Sequence, residues 1–338
     1  MKNIIIILSI FIALIGCNDE IIVKNTPENV FQAFWKTMDE QYVYFEEKKI
    51  DWDSIYNLYY PKAVMAKNED DLYEIFKEII PLFKDGHLSI FRSSQVCVTY
   101  FPQSYFHYPN PEPWKYGLDS LASCNYPSYL SYQHKTKKHA YIQCEDPKNE
   151  LIESIILNNL KTLNYNNGLI VDLRNHAGGS IKSCFDMASM FYIGDKTLLY
   201  AKPKNSTKRN DFGKPIAINY MGIGIVSNQI PIIVLTGTVT YSAGNILAYI
   251  LSELPNCIIV GKPTGGGGSP MAQQYLPNGW ILRNPYCKYF TVSGENMEFG
   301  LKPDFVLDYN PYGEPSDTID KHLVKAFELL DSINGSIK

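Results

Sequence analysis

Residues 168–180, GLIVDLRNHAGGS, decide the fold class of this chain. They begin with a short apolar run, as expected of a strand that is buried on both faces. The segment at 180–192 then favours a helix. A second apolar run, IPIIVLT at 230–236, is followed in the same way by a predicted helix at 242–252. Strands that alternate with helices pair in parallel, so this pattern predicts a layered α/β structure.

The alternation extends on both sides of this stretch. Four further segments continue it: strands at 139–143 and 257–260, and amphipathic helices at 149–163 and 317–332. Residues 270–308 have the pattern of strands and turns. We therefore predict a mixed fold, α/β with α+β character, whose layered core spans residues 139–335 and contains parallel strand pairs.

The N-terminal part of the chain favours helices. Apolar residues recur there at helical spacing, as in Phe31, Phe34 and Met38, and predict a small helical domain over residues 27–90. Residues 91–138 are rich in Tyr and Pro, and prolines exclude long helices and central strands. We expect an irregular segment with short strands there.

The first residues have the pattern of an export signal. A short positive start precedes an apolar run that is too short to span a membrane. The run ends at Gly16 and Cys17 and a polar stretch follows, which resembles the lipid-attachment box of bacterial lipoproteins. The resemblance implies a signal peptide at 1–16, lipidation of Cys17, a tether at 17–26 and a place in the bacterial cell envelope, on the periplasmic side or at the cell surface. A plain signal peptide with an incidental cysteine is the alternative.

Composition narrows the function classes. The 338 residues include 31 Lys and Arg against 35 Asp and Glu, for a net charge of −4, so no basic face for nucleic acid is expected. The cysteines after Cys17 contain no CxxC pair, and neither of the common glycine motifs for nucleotides is present. We therefore predict no metal, no cofactor and no nucleic-acid partner.

Ser242 is the first candidate for chemistry. It follows the predicted strand at 230–236 after a short loop and begins a predicted helix. A serine in this place commonly caps the helix with its side chain. The same position also puts its hydroxyl beside backbone amides and the positive end of the helix dipole, which would stabilise an oxyanion. Catalysis would need a base, normally histidine.

Gly178 and Gly179 lie between the first predicted strand and its helix. Glycines in such a loop let backbone amides approach a ligand closely. A tight turn in which Asp172 pairs with Arg174 is the structural alternative. His176, beside the glycines, is expected at the surface or in the turn.

Several stretches, taken in this order, resemble one family. They are FKDGHLSI (83–90), GLIVDLRNHAGGS (168–180), TYSAGN (240–245) and MEFGLKPD (297–304). Together they resemble the S41 family of serine peptidases, which includes the C-terminal processing peptidases. The resemblance covers about residues 27–95 and 139–310 and implies an S41-like core.

The resemblance also implies a nucleophile and an oxyanion hole. Ser242 corresponds to the nucleophile. The backbone amide of Ala243, together with that of Gly178 or Gly179, corresponds to the oxyanion hole. An extended peptide or protein would be the substrate.

The base follows from the same resemblance. One branch of the family uses a Ser/Lys pair, but this chain has Gly267 where that lysine stands. The tricorn-type branch uses histidine, and His87 of the DGH motif matches it. Glu298, or the nearby Glu295, matches the acid that supports this histidine. The tricorn-type site also has a serine next to the histidine, where this chain has Gly86.

Two functions remain open at this point. The leading prediction is an exported, lipid-anchored serine endopeptidase that acts through Ser242 and His87. The alternative is a non-catalytic surface lipoprotein that binds peptides or glycans on the same scaffold. Too few residues lie between 90 and 139 for a full PDZ module, so none is expected.

Overall fold

The computed structural model describes residues 25–94, 96–100, 108, 118–120, 129–134, 137–145, 151–308 and 319–336. The predicted signal peptide, Cys17 and most of the tether lie outside these residues, as does much of the Tyr/Pro-rich segment. None of the described helices is both long enough and apolar enough to cross a bilayer.

Seven α-helices lie in the described part of the chain. They are α1 (Pro27–Gln41), α2 (Trp52–Met65), α3 (Glu69–Ile79), α4 (Leu151–Thr162), α5 (Ile181–Ser189), α6 (Ala243–Ser252) and α7 (Lys321–Ser336). Thr26, Asp51 and Asn68 precede the first three helices, and each side chain accepts a hydrogen bond from a backbone amide of the first turn. These caps set where the N-terminal helices begin.

Strands of the described residues form three sheets. They are β1 (Ser89–Phe91), β2 (Cys97–Thr99), β3 (Leu118–Ser120), β4 (Tyr129–His134), β5 (His139–Cys144), β6 (Gly168–Asp172), β7 (Ile193–Pro203), β8 (Ile216–Ile223), β9 (Ile232–Thr236), β10 (Cys257–Gly261), β11 (Met271–Tyr275), β12 (Ile281–Pro285), β13 (Cys287–Phe290) and β14 (Phe305–Val306). The strand orders are β14-β10-β9-β6-β5-β4-β3, β11-β12-β1-β2 and β13-β7-β8.

The seven-stranded sheet is the centre of the core. Its strands β14, β10, β9, β6 and β5 pair in parallel, and β4 and β3 are antiparallel at one edge. Leu169 and Val171 of β6 pack with residues of α4, α5 and α6, whereas Ile170 packs with α7. Because successive residues of a strand point to opposite faces, both faces are covered by helices. The predicted layered α/β core with parallel pairs is confirmed.

The N-terminal helices share their core with a strand pair from far along the chain. β1 pairs antiparallel with β12, and Ile90 lies opposite Leu282. Leu282 and Trp280 are buried among apolar residues of α1, α2 and α3. The packing unit therefore extends beyond the helical domain predicted over residues 27–90, because the β11–β12 hairpin completes it.

The site lies beyond the carboxyl ends of two central strands of the large sheet, β6 and β9. β6 and β9 are neighbours in parallel, with Leu169 opposite Ile232, so their carboxyl ends lie side by side. The loop that contains Gly178 follows the carboxyl end of β6, and the loop that contains Ser242 follows the carboxyl end of β9. Ligands of open α/β sheets bind beyond the carboxyl ends of the strands.

Candidate active site

Ser242 joins β9 to α6 with an unusual backbone. Its φ is 54° and its ψ is −122°, and such a conformation costs a residue other than glycine about 1–3 kcal/mol. Its side chain forms no cap hydrogen bond with the helix, so the helix-cap interpretation is wrong. Its N–H donates to the carbonyl oxygen of Gly266 at 2.9 Å, which helps to hold the turn.

His87 is the partner of the serine hydroxyl. Its Nε2 lies 2.9 Å from Ser242 Oγ, although the two residues are 155 positions apart in the sequence. The backbone N–H of His87 donates to Asp85 Oδ1 at 2.9 Å, so the DGH turn is held by its own aspartate. The structure thus brings together the two residues on which the predicted chemistry depends.

The environment of His87 keeps its ring neutral. Burial lowers the pKa of His87 to about 4; Asp85 opposes this effect, while Lys48 and Arg283 add to it. A neutral ring has one nitrogen that accepts a hydrogen bond or a proton. With Nε2 as the acceptor from the serine hydroxyl, Nδ1 carries the hydrogen, and Nδ1 has no hydrogen-bond partner among the described residues.

Glu298 contacts a lysine rather than the histidine. Lys48 Nζ lies 2.8 Å from Glu298 Oε1 and 3.1 Å from Asp85 Oδ2. Within the described part of the chain no hydrogen bond joins Glu298 to the His87 ring. The connection runs instead from Glu298 through Lys48 to Asp85, which holds the backbone of His87. The resemblance implied that Glu298 supports His87 directly. In the structure the two residues are connected only indirectly, through Lys48 and Asp85.

The surroundings of the two candidate acids are different. Burial and the neighbouring Asp85 raise the pKa of Glu298 to about 8, and Lys48 opposes that rise. Glu295 is exposed on a turn, where its backbone pairs with Thr291. The structure therefore places Glu298 in the site and Glu295 outside it.

Two of the predicted oxyanion residues are neighbours of the serine, and one of them, Ala243, directly follows it in the chain. Gly178 lies against it: a Cβ atom at this position would be 2.6 Å from Ser242 Cβ. The N–H of Gly178 donates to His176 Nδ1 at 3.2 Å. In the described part of the chain the N–H groups of Gly179 and Ala243 have no hydrogen-bond partner. The latter two amides therefore have no protein partner that a ligand would have to replace, whereas that of Gly178 would have to leave His176.

His176 lies in the turn, one of the two places expected for it, but it is buried and not exposed at the surface. It is fully enclosed, and burial lowers its pKa to about 4. Its carbonyl oxygen accepts a hydrogen bond from the N–H of Tyr241 at 3.0 Å, and its Nδ1 accepts from Gly178. His176 therefore ties the glycine loop to the serine loop.

The start of the glycine loop is fixed by a buried ion pair. Arg174 Nε donates to Asp172 Oδ1 at 3.0 Å, and Arg174 Nη1 donates to Asp320 Oδ2 at 2.7 Å. The guanidinium also lies over the ring of Tyr108, 4.9 Å from its centroid. The pairing of Asp172 with Arg174 considered from the sequence is present, and it extends to the residue that precedes α7.

Tyr241 accounts for two of the glycines that depart from the family pattern. A side chain at Gly267, the position of the lysine in the Ser/Lys branch, would overlap the ring of Tyr241. A Cβ atom at Gly86 would be 2.9 Å from its hydroxyl oxygen. The ring packs edge-on against His87, with centroids 4.9 Å apart. Sequence reasoning gave Tyr241 no role, although two glycines where relatives have side chains were a signal for it.

A strained serine that contacts a neutral, buried histidine beside unpaired backbone amides is the arrangement found in serine hydrolases. Residues 138–307 match the family model of peptidase family S41, and residues 24–80 match that of the tricorn protease C1 domain. The chain belongs to peptidase family S41.

Curated relatives are similar over part of their length. The carboxyl-terminal-processing protease of Picosynechococcus sp. is 28% identical over 145 residues, which cover 43% of this chain and 33% of that protein. The tricorn protease of Thermoplasma volcanium is 29% identical over 167 residues, which cover 48% of this chain and 15% of that protein. The chain therefore spans no more than about a third of the length of these two relatives.

Solved structures are similar over nearly the whole chain. A candidate peptidase from Parabacteroides merdae has a TM-score of 0.78 at 26% identity and covers 91% of this chain and 97% of that one. A lipoprotein from Streptococcus agalactiae has a TM-score of 0.60 at 17% identity, with coverages of 91% and 97%. The latter likeness concerns the fold alone.

Proposed function

We propose that this protein is an exported serine endopeptidase that hydrolyses peptide bonds of an extended peptide or protein. The observation that carries the proposal is the 2.9 Å contact between His87 Nε2 and Ser242 Oγ. Membership of a peptidase family supports peptide-bond chemistry. The names of the curated relatives, processing proteases and tricorn protease, support it as well.

The proposed reaction follows from this geometry. Ser242 Oγ attacks the carbonyl carbon of the scissile bond while its proton passes to His87 Nε2. The oxyanion accepts hydrogen bonds from the N–H of Ala243 and from the glycine loop. His87 then gives its proton to the leaving nitrogen as the C–N bond breaks. A water molecule then attacks the acyl carbon as its proton passes to the same histidine, and the histidine returns this proton to Ser242 Oγ as the bond between Oγ and the acyl carbon breaks.

The function is tested with a mixed peptide pool whose products are identified by mass spectrometry. Purified wild-type protein and the Ser242→Ala and His87→Ala proteins are incubated in parallel. Cleavage that requires both residues supports the peptidase. Peptides or glycans that bind to the wild type without any hydrolysis would favour the non-catalytic lipoprotein instead.

We further propose that Cys17 carries a lipid that anchors the protein in the bacterial cell envelope. The proposal rests on the apolar run that ends at Gly16 and Cys17. Wild-type protein is expected in the detergent-soluble membrane fraction. A Cys17→Ser protein is expected to leave that fraction, and equal membrane association of the two proteins would contradict the anchor.

The value of kcat/KM is expected to persist into acidic solution. Burial lowers the pKa of His87 to about 4. The histidine therefore stays unprotonated, and able to act as a base, until the pH falls to that region. An ordinary histidine, with a pKa of about 6.5, would be protonated and inactive as a base at a higher pH. The measurement is kcat/KM against pH, over the range in which circular dichroism shows a folded protein. An acidic limb centred near the ordinary histidine value would contradict it.

Gly178→Ala is expected to lower kcat/KM by about 100-fold, because the new methyl group would displace Ser242 from its position. The positive φ of 112° at this glycine adds a stability cost of about 1–2 kcal/mol. The matched control is Gly194→Ala, where φ is 81° and nothing lies within 4 Å of the added Cβ. The control should share the stability cost but retain activity, and equal activity of the two variants would contradict the prediction.

A further inference from the structure

A cavity of about 440 Å³ opens beside the serine–histidine pair. Gly86, Tyr241 and Gly267 form part of its wall. Gly86 directly precedes His87, and Tyr241 directly precedes Ser242. A peptide whose scissile bond lies at Ser242 would therefore place a side chain from near that bond in this cavity.

The charges along the cavity are unequal. Three lysines and one carboxyl group line it. Lys48 is committed to Glu298 and to Asp85 by ion pairs. Lys49 and Lys84 are exposed and form no ion pair with any residue that the structure describes. The cavity therefore offers positive charge to a ligand.

Lys49 and Lys84 also share an uncommon backbone conformation. Their φ angles are 54° and 48°, and in the described part of the chain only Lys138 and Ser242 are further non-glycine residues with positive φ. Glycine or asparagine would adopt this conformation at lower cost. Lys138 has the same conformation away from the cavity, so the backbone alone does not mark a ligand site, but it makes asparagine a suitable replacement at Lys49 and Lys84.

The rest of the rim is apolar. Leu82 is 45% exposed and Phe299 is 57% exposed, and both line the cavity. Apolar surface of this kind packs against methylene groups, while the lysines attract a negative group beyond them. A cationic side chain would meet like charges in the same place.

We propose that this cavity is a specificity subsite for an acidic side chain, Asp or Glu, of the peptide substrate. The inference rests on the proposed peptidase function. It assigns Lys49 and Lys84 as the residues that select the substrate. The apolar rim contacts the side chain's methylene groups, and the two ammonium groups face its carboxylate.

The test uses the purified full chain and matched peptides. Each peptide carries Glu, Gln or Lys at one position near the cleaved bond, and each is made with a free and with an amidated C-terminus. At one position Glu is expected to give a kcat/KM about tenfold above that of Gln, and Lys a value below Gln.

Variants then test whether Lys49 and Lys84 cause the preference for Glu over Gln. The Lys49→Asn/Lys84→Asn double variant should bring the Glu-to-Gln ratio close to one, and asparagine keeps the positive-φ backbone accessible. Lys138→Asn is the matched control, because it makes the same change at a lysine with a φ of 52° that does not line the cavity. It should keep the wild-type ratio.

Three outcomes would overturn the inference in distinguishable ways. Equal cleavage of Glu and Gln peptides by the wild type would remove the acidic subsite and leave the peptidase intact. An effect of C-terminal amidation in place of the side-chain effect would assign the carboxylate to the chain end. Absence of cleavage of every peptide would overturn the peptidase proposal and this inference with it.

Discussion

Replacing Ser242 with alanine is expected to lower kcat/KM for peptide cleavage by about 10⁴- to 10⁶-fold, because among the residues that the structure describes only Ser242 offers a side-chain oxygen to His87 Nε2. His87 Nε2 would then face a methyl group in place of the hydroxyl that now lies 2.9 Å away. His87→Ala should lower kcat/KM to a similar value. The double variant should fall no further, since the two residues act as one unit. Initial rates with one peptide give all four values.

A matched serine separates this effect from a general one. Ser252 lies at the far end of α6, and its hydroxyl donates to the carbonyl oxygen of Tyr249 at 2.8 Å. Ser252→Ala makes the same chemical change at the opposite end of α6 and should leave the rate unchanged. A serine-reactive phosphonate should label wild type and Ser252→Ala but not Ser242→Ala. Undiminished cleavage by a folded Ser242→Ala protein would disprove the mechanism.

The parallel core could be predicted because its signals are local. β6 and β9 are short apolar runs that are buried on both faces, and the sequence displays them directly. The place of Ser242 at the start of a helix could also be predicted. Its positive φ could not, because the conformation depends on contacts such as that with Gly266, which lies on a different loop.

Two features of the strands were not predicted, for different reasons. The β7–β8 hairpin has a bulge between Thr197 and Leu199, which interrupts the alternation that would have marked a strand. β1 pairs with β12, about 190 positions along the chain, and no local pattern records such a pairing. His176 was expected at the surface or in the turn beside the glycines; it lies in that turn, but the packing of two loops buries it.

The contacts of Glu298 could not be predicted from the sequence either. The resemblance pointed to Glu298, and the structure places it in the site. No sequence pattern indicated its ion pair with Lys48, because Lys48 lies in a turn between α1 and α2. A lysine in a turn is usually a solvated surface residue. Only the folded chain shows that this one lies between two buried carboxyl groups.

Lys48→Met is expected to lower the free energy of unfolding by about 3–5 kcal/mol at neutral pH. The Lys48 side chain is 10% exposed, and those of Asp85 and Glu298 are almost fully buried. The change would remove the positive partner of both carboxyl groups in a place from which water is excluded, so any negative charge that remains there is unpaired and costly. Urea denaturation of wild type and variant measures the difference.

The cost should grow as the pH rises. Burial and Asp85 already raise the pKa of Glu298 from 4.5 to about 8. Between these two values the folded chain keeps a proton that the unfolded chain releases, so this group's contribution to stability falls with rising pH. Without Lys48 the pKa in the folded state rises further. The two proteins should therefore lose stability alike within this window, and the variant should fall further behind as the pH passes about 8, where Glu298 of the wild type releases its proton and that of the variant does not.

Two further variants decide whether this loss arises from the buried charges. Lys62→Met removes a lysine that is 41% exposed and pairs with Glu78 at the surface, and it should cost at most about 1 kcal/mol. Adding Glu298→Gln to Lys48→Met removes the carboxyl group whose ionisation becomes costlier as the pH rises, so it should restore part of the loss at alkaline pH and flatten its pH dependence. A Lys48→Met protein that is as stable as Lys62→Met at every pH would show that the two carboxyl groups do not depend on this lysine. The link from Glu298 to His87 through Asp85 would then have no energetic basis.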